Sequence, residues 1–140
     1  MNAAESESIR WYMQGAKDAK TAEKNARGGD FEVSCFLFQQ AAEKILKAYL
    51  YLQGERTVTG HSVLKLAQRC AGFAPEFQAV SDACIRLDVL YLPTRYPFAL
   101  PGGAPYEFFT LEHAQKAMDA YQAVYRVVYE FFKNAVQHAG

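Results

Sequence analysis

The chain has 140 residues, of which 51% are apolar and 21% charged, a composition that fits one globular domain and excludes a disordered chain. Fifteen basic residues balance fifteen acidic ones, and such neutrality argues against a DNA-binding protein, whose affinity comes largely from neutralising phosphates. No stretch approaches the roughly 18 uninterrupted apolar residues of a membrane span. The polar opening from Met1 to Arg10, with Glu5 and Glu7, is unlike a secretory signal, so a cytoplasmic protein with no membrane association is expected.

A domain of this size buries about two thirds of its unfolded surface and needs no metal or disulfide to hold its core. The three cysteines, Cys35, Cys70 and Cys84, have no CxxC spacing and no histidine close by in sequence. Buried free thiols are expected, with no metal and no cofactor.

In chain order, the spacing first predicts a helix over roughly Ser6 to Ala26, with Ile9, Tyr12, Ala16 and Ala19 on one face and lysines on the other. Gly28 and Gly29 break it, and Asp30 is placed to cap a second helix running to about Gln53. There Phe31, Cys35, Phe38, Ala42, Ile45, Tyr49 and Leu52 form an apolar stripe that Gly54 terminates. A short helix follows over His61 to Cys70, presenting Val63, Leu66 and Ala67. A longer one starts at Pro75 and presents Phe77, Val80, Cys84, Leu87 and Tyr91 before Pro93 and Pro97 stop it.

The segment from Pro93 to Phe109 holds four of the five prolines, two glycines and the aromatics Tyr96, Phe98, Tyr106, Phe108 and Phe109. A connection of this length without structure of its own is often functional. Thr110 then caps a last helix of about seven turns, with Leu111, Ala114, Met118, Tyr121, Tyr125, Val128, Phe132 and Ala135 on one face. No segment alternates as a strand does. The fold class is therefore all-α: residues 1–140 form a single domain, an up-and-down bundle of four long helices plus one short helix. The aromatic run Tyr121, Tyr125, Tyr129, Phe131 and Phe132 is wider than one core stripe; it faces either a second subunit or a larger core.

Three motifs stand in order along these elements. The second helix carries Gln39-Gln40-Ala41-Ala42-Glu43-Lys44-Ile45-Leu46-Lys47-Ala48. The short helix opens on His61-Ser62-Val63-Leu64-Lys65-Leu66, and Leu90 to Pro97 reads Leu-Tyr-Leu-Pro-Thr-Arg-Tyr-Pro. Together, from Trp11 to about Val136, they resemble the prokaryotic HEPN family. That resemblance implies a homodimer of helical bundles, a nucleotide ligand, and often a nucleotidyltransferase partner, as in toxin–antitoxin-like pairs. Many relatives are ribonucleases that use an arginine followed a few residues on by a histidine near the start of the last long helix. After Arg95 no histidine follows at that spacing, and His113 is too distant. Arg56 and His61 match the spacing but lie between the second and third helices. The expectation is a non-catalytic module, with no catalytic residue assigned. The alternative is a ribonuclease with a rearranged site, using Arg95 with His61 brought close by folding.

Arg95 is the foremost ligand-binding candidate. Its planar fork, beside aromatic neighbours at the mouth of a proline-bounded segment, suits a phosphate or carboxylate, and it equally suits capping helix carbonyls. Tyr91 and Tyr96 can stack a base or pack. Gln40, Lys44 and Lys47 share a helix face that either binds phosphate or is solvated, and Glu43 with Lys47 is a favourable i,i+4 pair. His61 can act as a general base or can cap and pack at the start of its helix.

Overall fold

The apolar spacing of the sequence is realised in helices throughout. The computed structural model describes residues 1–139, and its main elements are α1 (Ala3–Arg27), α2 (Phe31–Leu52), α3 (Val63–Ala71), a 3₁₀ helix Pro75–Val80 running into α4 (Ser81–Asp88), a 3₁₀ turn Pro97–Ala99, α5 (Pro105–Phe108) and α6 (Leu111–Ala139). There is no strand among the described residues, and no helix there is long and apolar enough to cross a membrane.

α1 and α2 form an antiparallel hairpin around Gly28–Asp30, where Gly29 takes φ +85°, a conformation that glycine adopts at no steric cost. Asn2 caps α1 through Glu5 N at 2.8 Å. Asp30 occupies the start of α2 as expected, but its side chain makes no capping hydrogen bond. The two helices are tightly apposed at Gly15. A Cβ there would meet Ile45 Cγ2 at 2.7 Å and the Ala41 carbonyl oxygen at 3.1 Å.

α2 is the centre of the molecule. Of its expected stripe, Cys35, Phe38, Ala42, Ile45 and Tyr49 are buried and the ends Phe31 and Leu52 partly so, while Leu46, Ala48 and Leu50 are buried on other faces. α1, α6 and α3 pack against it, and α4 packs between α3 and α6. α6 presents Ala114, Tyr121, Val128 and Phe132 as the spacing predicts, with Ala117 and Val124 added; Leu111 stays exposed. Its aromatics mostly enlarge the core. Phe132 stacks on Tyr12 at 4.7 Å and the Tyr12 hydroxyl donates to that of Tyr125 at 3.0 Å, while Phe131 packs on Tyr49. Burial pushes the Tyr12 and Tyr121 phenols above their ordinary range. It likewise pushes the Cys35 and Cys84 thiols up to about 12.

The fourth segment differs from a single long helix. It starts as a 3₁₀ turn with Pro75 in its first turn, becomes α-helical only from Ser81, and ends at Asp88. Its apolar residues Phe77, Val80, Cys84 and Leu87 are nonetheless buried. The Asp88 side chain is spent on the neighbouring helix. It accepts from Val63 N (2.6 Å), Leu64 N (3.3 Å) and Ser62 Oγ (2.7 Å), satisfying the free N–H groups at the start of α3. Beyond it, residues 89–95 wind in turns rather than a helix, since Pro93 has no N–H to extend the ladder.

Gly15→Ala should lower stability by about 1–3 kcal/mol, the usual cost of forcing a methylene into a packed contact. Chemical denaturation of the two proteins should show the loss as a lower midpoint at unchanged slope.

Candidate functional site

A turn of polar residues inside α2 decides what lies against it. Glu43 and Lys47 are four residues apart on one face, and their side chains are only 5% and 7% exposed, paired at 3.2 Å. A buried charge is tolerated only when it is paired and hydrogen-bonded. Glu43 accordingly has three partners: Lys47 Nζ, His61 Nδ1 at 3.1 Å, and the side-chain amide of Gln40 at 3.5 Å. The fully buried Gln39 donates to the His61 carbonyl at 2.9 Å and accepts from Gln40 at 2.8 Å. On its far side Lys47 lies 5.5 Å from the ring centre of Trp11 on α1.

His61 therefore does not cap α3; Ser62 does, accepting from Lys65 N at 3.2 Å. Instead the His61 ring stacks on Tyr91, with centroids 4.8 Å apart and 18° between planes. Tyr91 in turn carries Arg95, whose guanidinium lies 4.5 Å from the rings of both Tyr91 and Phe36 and 5.0 Å from that of Tyr96. Arg95 Nε and Nη2 both donate to the Tyr91 carbonyl, at 2.9 and 2.7 Å. The helix-capping role and the ligand-facing role are thus compatible: two N–H groups hold the fork in place and its remaining donors have no acceptor among the described residues.

Arg95, Tyr91, Tyr96, His61, Gln40 and Lys47 are brought together. Lys44 is not. It pairs instead with Asp18 of α1, beside a cavity of about 370 Å³ lined by Glu7, Arg10, Trp11 and Gln14. A second cavity, of about 330 Å³, opens on His61, with Gly60, Ser62, Lys65 and Arg69 in its wall. Among the described residues no group of His, Cys, Asp and Glu is placed to hold a metal.

Sequence reasoning treats Glu43 only as the partner of Lys47 and passes over Phe36 and Gln39. The signal it could have used is a Gln-Gln pair and an acid interrupting the apolar residues of α2, polar groups whose burial requires partners elsewhere. His113 is occupied at the other end of the chain. Its Nδ1 accepts from Thr110 N at 3.0 Å, its own N–H reaches Thr110 Oγ1 at 3.5 Å, and its ring packs among Phe108 and Phe109.

The HEPN domain model matches residues 9–132. The chain belongs to the HEPN family. Its fold is similar to the crystal structure of TT1696 from Thermus thermophilus, at 32% identity and a TM-score of 0.78, covering 88% of this chain and 96% of that one. It is also similar to ST0689, an archaeal HEPN homologue, at 31% identity and a TM-score of 0.71, covering 86% and 93%. No curated protein matches the chain. In this HEPN domain the three motifs named from sequence meet at one place, the face of α2 that carries Glu43.

Lys47→Ala should be costly, because it leaves the Glu43 carboxylate buried without its cation. Loss of one partner of such a pair removes about 3–5 kcal/mol, which thermal unfolding should register as a fall of about ten degrees or more.

Proposed function

We propose that this HEPN domain is a non-catalytic module that dimerises and binds a nucleotide, and that it works beside a nucleotidyltransferase partner in a toxin–antitoxin-like pair. The observation that carries the nucleotide part is the Arg95 guanidinium. It is clamped by the Tyr91 carbonyl and sandwiched among Phe36, Tyr91 and Tyr96. A fork already immobilised loses little entropy on receiving a phosphate, and its planar donors suit that anion. Tyr96 is exposed and stacks on Phe98, itself 76% exposed, so the pair offers aromatic surface against which a base can pack. The non-catalytic part is supported by His113, the histidine near the start of α6, which is engaged in holding the helix terminus and has no arginine a few residues upstream.

A second reading is favoured by one contact: His61 and Arg95 both pack on the ring of Tyr91. Two groups of the kind a ribonuclease uses therefore lie within one ring of each other, from different parts of the chain.

Thermal shift against a nucleotide panel separates the proposals. A nucleotide at a hundred times its dissociation constant adds about 2.7 kcal/mol of apparent stability, a rise of several degrees for a domain of this size. Arg95→Ala should abolish that rise, and no stabilisation by any nucleotide would contradict the binding role. Incubation with RNA should leave the substrate intact. Cleavage lost in both Arg95→Ala and His61→Ala would establish the ribonuclease reading instead.

A further inference from the structure

The buried carboxylate behind His61 has a consequence for what the exposed side of that ring can do. A carboxylate accepts hydrogen bonds and donates none. With Glu43 Oε1 3.1 Å from His61 Nδ1, the proton of the neutral imidazole belongs on Nδ1, and the lone pair on Nε2. Three contacts fix the ring in that orientation. Gln39 holds the His61 carbonyl at 2.9 Å, Glu43 holds Nδ1, and Tyr91 covers one face at 4.8 Å. Glu43 is itself held by Lys47 at 3.2 Å. The opposite edge of the ring is open: the His61 side chain is 59% exposed, and it borders the cavity of about 330 Å³ whose wall includes Lys65 and Arg69.

We propose that Glu43 is a positioning residue that makes His61 Nε2 a fixed hydrogen-bond acceptor, and that this acceptor takes a hydroxyl of a phosphate-bearing ligand in the cavity between residues 59–62 and α3. The ligand class rests on the nucleotide-binding reading above, but the site is a separate one, since neither Arg95 nor Tyr96 lines this cavity; the orientation of His61 rests on neither. A ligand that offered only acceptors to this edge would meet a lone pair and be disfavoured. A ribose hydroxyl would donate to Nε2, with Lys65 at the cavity wall for the negative charge; Arg69 beside it is already paired with Glu55. Nothing in the arrangement requires a bond to break: His61 selects a donor group.

The orientation can be read without any ligand. In ¹⁵N-resolved NMR at alkaline pH, where imidazoles are neutral, His61 should carry its proton on Nδ1. Glu43→Gln has a single oxygen, which the Lys47 ammonium takes, and so turns its amide N–H toward His61 Nδ1; it should move the ring proton to Nε2. The double variant Glu43→Leu with Lys47→Met removes the buried pair together, a replacement that commonly preserves stability, and should lose the Nδ1–H preference. A wild-type ring protonated on Nε2, or a tautomer unmoved in the double variant, would overturn the positioning role.

Adenosine monophosphate and its 2′,3′-dideoxy analogue then test the hydroxyl. Adenosine monophosphate should shift the His61 Nε2 resonance, and the dideoxy analogue should not. Adenosine monophosphate that binds without perturbing Nε2 would overturn the assignment of the hydroxyl while leaving nucleotide binding intact. Wild-type His61 protonated on Nδ1 with no response to either nucleotide would refute the ligand but uphold the positioning role.

Discussion

Glu43 is a carboxylate nearly shut off from water in the middle of the most buried helix of the fold, and the charge it carries has to be met. That one requirement ties together parts of the chain that are far apart in sequence. Lys47, one turn along α2, supplies the cation, and its own position is covered by Trp11 from α1. His61 comes in from the segment before α3, and the Tyr91 ring, from the turns after α4, stacks on it. Arg95 follows because it caps the Tyr91 carbonyl. Each contact is held by the previous one, so the arrangement of the aromatic and cationic groups on the surface is set by a polar group inside.

This ordering explains why a site of long side chains can be preorganised without sitting in a deep cleft. Arg95 would lose several rotamers on binding an anion if it were free. Its two hydrogen bonds to a backbone carbonyl and its contact with three rings have already removed that freedom. The same residues serve stability and recognition, since the guanidinium that closes the end of a turn also exposes donors beyond it.

Much of the fold is legible in the sequence because its helices are amphipathic at regular spacing and separated by glycine or proline. On α2 the expected stripe is buried from Cys35 through Phe38, Ala42 and Ile45 to Tyr49, with its ends Phe31 and Leu52 partly so; on α6 Ala114, Tyr121, Val128 and Phe132 are buried, Met118 and Tyr125 partly, and Leu111 and Ala135 are exposed. The fourth segment is less legible. Its apolar spacing of three and four is compatible with a 3₁₀ turn leading into a short α-helix, and spacing alone does not show that Asp88 at its end is engaged in capping α3. The candidate residues Arg95, Tyr91, Tyr96, His61, Gln40 and Lys47 are neighbours, because each motif borders the same face of α2. Lys44 sits one position from Glu43 and so turns away to Asp18, a distinction that a shared helix face does not resolve. Glu43 itself is hidden behind an ordinary reading, an i,i+4 pair with Lys47, since burial and not spacing gives that pair its importance.

Two solved structures of similar chains and a family model covering most of the domain establish the HEPN fold, and the Glu43-centred cluster is where the motifs of this member converge. The most direct test of the binding role is a crystal structure of the protein with its most strongly stabilising nucleotide. The expected result is a phosphate within hydrogen-bond distance of the Arg95 guanidinium and a base against the exposed aromatic pair of Tyr96 and Phe98. A nucleotide seated instead in the cavity of Arg10, Trp11 and Lys44, with Arg95 untouched, would contradict it.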